Sequence, residues 1–334
     1  MLAKEKILIV GPAWVGDMVM AQSLFMTLKS VYPESEIDVL APTWSLPLLE
    51  RMPEVNQGIE VPVGHGKFGF IKRLKIGLGL RKNNYTRAII LPRSFKSALI
   101  PFFSGVPVRT GYRGEMRYGL INDIRKLDKT ILKQTVQRYV ALGLQGEAKK
   151  DMQVPYPRLI IDSENQQKLI EKFKISSTHP VVCFSPGAEY GPAKQWPIEK
   201  FAKLSELLTK NNYQVCVIGS QKEHPLGEEI KKIQPDKIFN LCGETSLVEA
   251  IDIIAYSKNV VTNDSGLMHV ACATGRKIVA IYGSSTPSYT PPLSKRASII
   301  YHSLNCSPCF KRVCPFGHTD CLENISVEEV VKSL

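Results

Sequence analysis

Short apolar, β-branched runs alternate with longer amphipathic stretches along the whole chain. In the first half, strands are predicted at residues 7–10, 36–41, 58–61 and 87–91, and helices are predicted to begin near residues 17, 44, 70 and 94. In the second half, strands are predicted at residues 181–185, 214–218, 238–241, 259–262 and 277–281, and helices near residues 197, 245 and 266. Strands that alternate with helices form parallel sheets, so each half is predicted to be α/β.

The stretch between the two halves is charged and contains two prolines. Residues 149–158 carry Pro155 and Pro157 and precede a helix predicted near residues 163–173, a composition typical of a linker. We therefore predict two Rossmann-like, doubly wound domains, residues 1–158 and 159–334, with a C-terminal helix that is free to pack back on the first domain. Open sheets bind ligands beyond the carboxyl ends of their strands, so a ligand cleft is expected where the two domains face each other.

Length and composition agree with two domains and with a cytoplasmic location. The 334 residues are 44% hydrophobic, which suits two cores of ordinary domain size. Apolar runs stay short of the ~18 residues of a membrane span, and residues 7–10 are too few for a signal peptide. All eight cysteines follow residue 180, several of them inside predicted strands or helices, which favours reduced thiols over a disulfide framework.

Positive charge is concentrated in the first half. Residues 1–160 contain 24 Lys and Arg against 13 Asp and Glu, whereas the remainder contains 19 against 18. Between Lys67 and Arg138 there are 17 basic residues and only three acidic ones. We infer an anionic partner for this half, with a merely solvated basic surface as the alternative.

The first motif, Gly11-Pro-Ala-Trp-Val-Gly16-Asp17, joins the first predicted strand to the first predicted helix. A phosphate-binding loop of similar spacing would carry Lys after the second glycine, but Asp17 stands there and would repel phosphate. The glycine spacing also fails the dinucleotide fingerprint. A carboxylate at a helix start remains, and it is either a helix-stabilising charge or a catalytic group.

The second motif is the loop at residues 184–197, which contains Lys194 and two glycines. Lys194 offers a mobile positive charge to a diphosphate, and the glycines let backbone N–H groups approach it. An ordinary turn with a solvated lysine is the alternative.

The third motif, Asn263-Asp264-Ser265-Gly266-x-x-His269, joins a strand to a helix. Unpaired N–H groups and the helix dipole make such a start an anion site, and His269 lies one turn further along. The alternative is a capping Asp264 or Ser265 with a half-buried imidazole at His269.

The fourth motif is a run of four cysteines near the C-terminus: Cys306, Cys309, Cys314 and Cys321. Four thiols within sixteen residues suit a structural zinc ion. The spacing lacks a second C-x2-C pair, so we favour a loop-rich segment without metal.

Together these motifs resemble the ADP-heptose:lipopolysaccharide heptosyltransferases over almost the whole chain. The resemblance rests on residues 11–17, 91–99, 109–119, 194–197 and 263–269 and on the cysteine-rich tail. It implies the GT-B architecture, two Rossmann-like domains of which the first binds the acceptor and the second binds the nucleotide sugar. The charge excess of the first half agrees with that assignment.

The resemblance implies an inverting, metal-independent transfer of L-glycero-D-manno-heptose from ADP-heptose to the first heptose of heptosyl-Kdo2-lipid A, with no cofactor. Asp17 matches the catalytic aspartate and is predicted to be the general base. Lys194 and the helix start at Ser265–Gly266 are predicted to stabilise the leaving diphosphate.

The predicted substrate contacts follow from the same resemblance. The donor side comprises Ser185, Gly187, Glu189, Tyr190, Glu223, Thr245, Asp264, Ser265, Gly266 and His269. The acceptor side comprises Gly16, Ser94, Lys96, Arg109, Arg113 and Arg117, whose charges suit carboxylates and phosphates. Glu189 and Tyr190 depart from relatives that place hydroxyl residues there, and Glu223 is equally well an exposed residue at a helix start.

The partners implied are ADP-heptose, the lipid A acceptor and the inner face of the inner membrane, to which the basic domain would be drawn. Another heptosyltransferase step, or a GT-B enzyme with a different nucleotide, remains an alternative. A non-catalytic module that binds anionic lipid or nucleic acid is the alternative of another class, although aromatic-interleaved RNA motifs are missing and no nucleic acid is expected.

Overall fold

A computed structural model of the chain describes residues 5–63, 67–144, 146 and 151–334. The chain divides into two compact units, Met1–Pro157 and Arg158–Leu334. This boundary lies one residue from the one predicted from the sequence. Residues 149 and 150 of the predicted linker lie outside the described residues.

The first unit is a parallel sheet flanked by helices. Its strands are β1 (Lys6–Val10), β2 (Glu36–Ala41), β3 (Gln57–Glu60), β4 (Arg87–Ile90), β5 (Val108–Tyr112) and β6 (Asp123–Arg125). Its helices are α1 (Val15–Val31), α2 (Leu46–Leu49), α3 (Phe70–Leu80), α4 (Leu99–Phe103) and α5 (Thr135–Gly143), with 3-10 turns at Thr43–Ser45, Arg81–Asn83 and Phe95–Ala98. The strand order is β3-β2-β1-β4-β5-β6.

The second unit repeats this design. Its strands are β7 (Val181–Ser185), β8 (Gln214–Val217), β9 (Ile238–Asn240), β10 (Asn259–Asn263), β11 (Lys277–Tyr282) and β12 (Ala297–Tyr301). Its helices are α6 (Ser163–Lys172), α7 (Ile198–Lys210), α8 (His224–Lys231), α9 (Leu247–Tyr256), α10 (Gly266–Ala273), α11 (Asp320–Glu323) and α12 (Val327–Ser333), with 3-10 turns at Pro192–Lys194 and Gln221–Glu223. The order β12-β11-β10-β7-β8-β9 is the same topology as in the first unit.

The central strands are buried on both faces, and the residues of β1 and β7 are mostly apolar. In β1, every residue after Lys6 is buried, and in β7 and β10 every residue is buried. A parallel sheet covered by helices on both sides requires such continuous apolar runs. The predicted α/β fold is therefore confirmed, and the carboxyl ends of the parallel strands form one edge in each sheet.

Three strands were not predicted from the sequence. β5 contains Arg109 and Gly111, β6 has only three residues, and β12 is a half-exposed edge strand. These segments lack the uninterrupted apolar pattern of β1 or β7. They pair as strands because an already formed neighbour offers its free backbone groups.

The C-terminal helix α12 packs in the second unit. Its Val327 and Val330 join the core that contains Trp196, Phe201 and Leu322. Among the described residues, no helix is both long enough and apolar enough to cross a membrane.

Candidate active site

Asp17 lies in the first turn of α1, just beyond the carboxyl end of β1. The turn into this helix is tight, since a Cβ atom on Gly11 would lie 2.6 Å from the Met18 methyl group. Gly16 is buried beneath the half-buried Asp17. Tyr139 on α5 donates its hydroxyl hydrogen to Asp17 Oδ1 at 3.3 Å. The carboxylate is thus held by a helix start and by a tyrosine that sequence reasoning missed.

Ser94, Lys96 and Arg113 lie at the same edge of the first sheet as Asp17. Ser94 and Lys96 belong to the turn that follows β4, and Arg113 directly follows β5, the neighbouring strand. Arg113 is exposed, while Ser94 and Lys96 are half-buried. Their positions leave the positive groups available to an anionic ligand at this edge.

Arg117 and Arg109 have other surroundings. The Arg117 side chain is buried and donates to the Pro92 carbonyl and the Tyr112 carbonyl, both at 2.7 Å. Burial lowers the pKa of Arg117 to about 10. Arg109 lies near the start of β5, at the opposite edge of the sheet, and donates to the Leu120 carbonyl at 2.7 Å. Both guanidinium groups donate to backbone carbonyls of neighbouring loops, and Arg117 is 2% exposed.

The loop between β7 and α7, residues 186–196, is held by Asn263 at the end of β10. The Asn263 amide donates to the Pro186 carbonyl at 2.6 Å, and its side-chain oxygen accepts the Trp196 N–H at 3.0 Å. Asn263 is fully buried. One side chain therefore fixes both ends of the loop that carries Lys194.

Asp264 orients Lys194. The Lys194 Nζ atom lies 2.5 Å from Asp264 Oδ2, and the two side chains are 16% and 4% exposed. Ser285 donates to the same carboxylate oxygen at 2.5 Å, and the ring of Tyr190 lies 5.1 Å from the ammonium. An ammonium group has three donors, so Lys194 keeps capacity for a further anion while Asp264 fixes its direction.

The start of α10, which directly follows Asp264, is a second candidate for anion binding. Ser265 has extended backbone dihedrals, and no side chain of the described residues caps the helix. Ser265 and Gly266 are half-exposed. The unpaired N–H groups of the first turn, together with the helix dipole, favour a phosphate at this point.

Buried polar atoms without a partner collect along the carboxyl edge of the second sheet. Among the described residues, four such atoms are Ser185 Oγ, Thr245 Oγ1, His269 Nδ1 and Ser284 Oγ. Buried polar groups are nearly always hydrogen-bonded, so each unpaired one requires an explanation. A polar ligand bound at this edge would explain all four unpaired atoms. Ser284 was not among the predicted donor residues, and its unpaired hydroxyl group makes it a further candidate.

His269 is buried and neutral in the folded protein. Desolvation lowers its pKa from 6.5 to about 4, against the smaller opposing effect of the Asp264 charge. The unfolded chain therefore takes up a proton first as the pH falls, and stability present above pH 6.5 is lost between 6.5 and about 4.

We expect His269 to contribute a loss of about 3 kcal/mol in unfolding free energy over that pH range. Urea unfolding of the full chain, followed by tryptophan fluorescence, measures this loss in the native protein and in His269→Gln. The advantage of the native protein over the variant should shrink by this amount as the pH falls. Parallel curves for the two proteins would contradict a buried neutral His269.

Glu189 and Glu223 are both engaged with neighbouring groups. Glu189 Oε1 lies 2.9 Å from Lys222 Nζ, and both side chains are largely exposed. Glu223 Oε2 accepts the Ser220 N–H at 2.7 Å and so caps the 3-10 turn in which it lies. A Cβ atom on Gly187 would lie 2.9 Å from Glu223 Oε1, so these two predicted donor residues are neighbours.

The cysteine-rich segment packs against the Lys194 loop. Tyr190 donates its hydroxyl hydrogen to the Phe310 carbonyl at 2.7 Å, and the Ala193 N–H bonds the Arg312 carbonyl at 3.1 Å. A Cβ atom on Gly191 would lie 2.4 Å from the same Arg312 carbonyl, so glycine is required there. Tyr190 therefore anchors the loop, a contact that the sequence did not reveal.

The four clustered cysteines are free and half-buried. Burial and the neighbouring thiols of Cys306, Cys309 and Cys314 raise the pKa of Cys321 to about 11. Hydrogen bonds from backbone N–H groups, led by that of Thr319, lower the pKa of Cys314. Within the described ranges, no group of three or more His, Cys, Asp or Glu side chains is arranged to hold a metal ion.

Comparison with known proteins shows the family of the chain. The family model for glycosyltransferase family 9, the heptosyltransferases, matches residues 73–320. The chain belongs to this family. The predictions that the chain is a glycosyltransferase and that it has the GT-B architecture are therefore confirmed.

Curated family-9 proteins match nearly the whole chain. Lipopolysaccharide heptosyltransferase 2 of Salmonella typhimurium is 50% identical, over 88% of this chain and 87% of its own length. Lipopolysaccharide heptosyltransferase 2 of Escherichia coli is 46% identical, over 98% and 97%. The solved structure of Escherichia coli ADP-heptose LPS heptosyltransferase II matches with a TM-score of 0.86 and 44% identity, covering 98% of this chain and 97% of that one. Similarity of this extent supports heptose transfer in lipopolysaccharide inner-core biosynthesis.

Proposed function

We propose that this chain transfers L-glycero-D-manno-heptose from ADP-heptose to the first heptose of heptosyl-Kdo2-lipid A, with inversion at the anomeric carbon. The observation that carries the proposal is the edge of the second sheet around Lys194. An oriented ammonium group, an uncapped helix start and unpaired buried hydroxyl groups converge there within the described residues. A nucleoside diphosphate with an attached sugar satisfies all three.

In the proposed reaction, the acceptor hydroxyl oxygen attacks the anomeric carbon while the bond from that carbon to the diphosphate oxygen breaks. Asp17 takes the hydroxyl proton, and ADP leaves with the bonding electron pair. Lys194 and the N–H groups at the start of α10 stabilise the negative charge that develops on the diphosphate. Tyr139 holds the Asp17 carboxylate in one orientation.

The acceptor is proposed to bind at the edge of the first sheet. Ser94, Lys96 and Arg113 are assigned to its carboxylates and phosphates because they follow strands at this edge, and the neighbouring Gly16 is assigned to the acceptor site with Asp17. The Arg117 guanidinium group donates to the Pro92 carbonyl and so holds the turn that contains Ser94. We further propose that the enzyme works at the cytoplasmic face of the inner membrane, where a lipid A acceptor is embedded.

Saturation-transfer NMR with ADP, UDP and GDP tests the donor assignment. We expect the strongest transfer to ADP, at the adenine and ribose protons, and loss of that signal on addition of ADP-heptose. A preference for UDP or GDP would overturn the proposed donor. Transfer of heptose to purified heptosyl-Kdo2-lipid A, monitored by mass spectrometry, tests the acceptor separately.

A further inference from the structure

The first unit carries an exposed surface of aromatic and aliphatic side chains on α3, on the residues before it, on the 3-10 turn Phe95–Ala98 and on α4. We call it the α3 surface and define it by six side chains that are between 37% and 67% exposed: Phe68, Phe70, Ile71, Leu78, Phe95 and Phe102. Large exposed apolar patches on soluble domains mark interaction sites.

Helix α3 packs Ile76 and Leu80 against the core of the first unit and leaves other apolar residues exposed. Gly77 is the only fully buried residue of this helix, and a Cβ atom there would lie 2.6 Å from the Phe103 Cβ. Close approach at Gly77 presses the helix against α4. The opposite side presents Ile71, Lys75 and Leu78, which lie on one helical face because they are spaced four and three residues apart.

The aromatic rings make this surface continuous. The ring centres of Phe68 and Phe70 are 6.1 Å apart, and those of Phe68 and Phe95 are 6.5 Å apart. Phe70 meets Phe103 edge-on at 5.7 Å, and Phe103 meets Phe102 at 5.5 Å. The contacts link α3 to the turn after β4 and to α4, so the exposed rings act as one patch.

The charges around the α3 surface are mostly positive, and one acid lies at its edge, since Glu115 Oε2 accepts the Phe95 N–H at 2.7 Å. The sequence has no Asp or Glu between Glu60 and Glu115, and this stretch carries 11 Lys and Arg. Lys72, Lys75 and Lys82 are exposed on or beside α3. Helices that lie in the interface of an anionic membrane have this composition, in which lysines alternate with exposed Phe, Ile and Leu.

We propose that the α3 surface docks on an anionic phospholipid bilayer, with Ile71 and Leu78 inserted at the headgroup boundary and the surrounding lysines on the phosphates. This inference rests on the proposed function, in which the acceptor is a membrane lipid. A nucleic acid would match the charge but would leave the aliphatic side chains in water. An acidic protein would match both properties, and failure of the full chain to bind anionic vesicles would favour it. A bilayer with anionic headgroups accounts for both properties, and the proposed acceptor is itself embedded in one.

Flotation with vesicles of phosphatidylethanolamine and phosphatidylglycerol, compared with pure phosphatidylcholine, tests the proposal on the full chain. Ile71→Gln with Leu78→Gln should weaken binding to the anionic vesicles at least about tenfold. Lys75→Gln with Lys82→Gln should weaken it by about tenfold or more, and added salt should do the same to the native protein. Both substituted pairs are exposed, so circular dichroism is expected to show unchanged folding.

The matched control removes two exposed apolar side chains from helices of the second unit, Leu207→Gln with Val331→Gln, and should bind as the native protein does. The proposal would be overturned if the Ile71 and Leu78 variant bound anionic vesicles as tightly as the native protein, or if the control lost as much binding as that variant. Equal affinity of the native protein for phosphatidylcholine and anionic vesicles would also overturn it.

Activity separates this inference from the proposed function. The Ile71 and Leu78 variant should transfer heptose normally to acceptor dispersed in detergent and poorly to acceptor embedded in vesicles. Equal loss in detergent and in vesicles would overturn the docking role. Failure of the native protein to use ADP-heptose even in detergent would instead defeat the proposed function, and the vesicle-binding result would stand by itself.

Discussion

Replacing Asp17 by Asn should lower the turnover of heptose transfer by about a thousandfold while ADP binding is retained, because a general base contributes on the order of 10²–10⁴ to a rate. Asparagine has the same shape and still accepts the Tyr139 hydroxyl hydrogen, but it does not take a proton from the acceptor. Steady-state formation of ADP measures turnover, and isothermal titration with ADP measures binding.

The control for this substitution is Asp128→Asn, which neutralises an exposed carboxylate of the same unit and should leave turnover unchanged. An Asp17→Asn protein that retains native turnover would remove this residue from the mechanism. Loss of ADP binding together with turnover would indicate disrupted folding of the protein instead of a missing base.

Replacing Lys194 by Gln should lower turnover by about a hundredfold or more, the range found when one donor to a developing negative charge is removed. The effect should fall mainly on kcat, because the charge on the diphosphate grows as the anomeric bond breaks. The same steady-state assay, with the donor concentration varied, separates kcat from KM. Lys203→Gln, which removes an exposed ammonium group from the same unit, should leave both unchanged.

A second variant separates chemistry from stability at this position. Lys194→Gln leaves the buried Asp264 carboxylate without its ion-pair partner, which destabilises a folded protein. Lys194→Gln combined with Asp264→Asn removes that unpaired charge, so it should unfold closer to the native temperature but remain slow. Recovery of turnover in the double variant would show that Lys194 acts through stability and not on the leaving group.

Much of the site was readable from the sequence because its residues follow strands. Asp17 comes after β1, Ser185 ends β7, and Asp264 comes after β10. The carboxyl ends of parallel strands meet at one edge of a sheet, so predicting the strands also predicted which side chains come together. Ser284 follows β11 in the same way and was accessible to the same argument.

Other contacts had no local signal. Tyr139 lies 122 residues from Asp17 along the chain, and Phe310 lies 120 residues from Tyr190. Pairing over such separations depends on how helices and loops pack after the sheet has formed. Burial of Arg117 also had no local signal, since a cluster of arginines predicts an exposed charged surface, yet this side chain is buried against backbone carbonyls.

Local sequence was sufficient for the α/β class, for two similar units and for the placement of Asp17, Lys194 and the start of α10, because strand, helix and cap preferences act over a few neighbouring residues. Tertiary structure alone decided which polar groups are paired. It turned Lys194 onto Asp264, buried Arg117 and left Ile71 and Leu78 in solvent. Burial and pairing depend on residues that are distant along the chain. They determine the electrostatic free energy of a charged side chain more strongly than the residue type does.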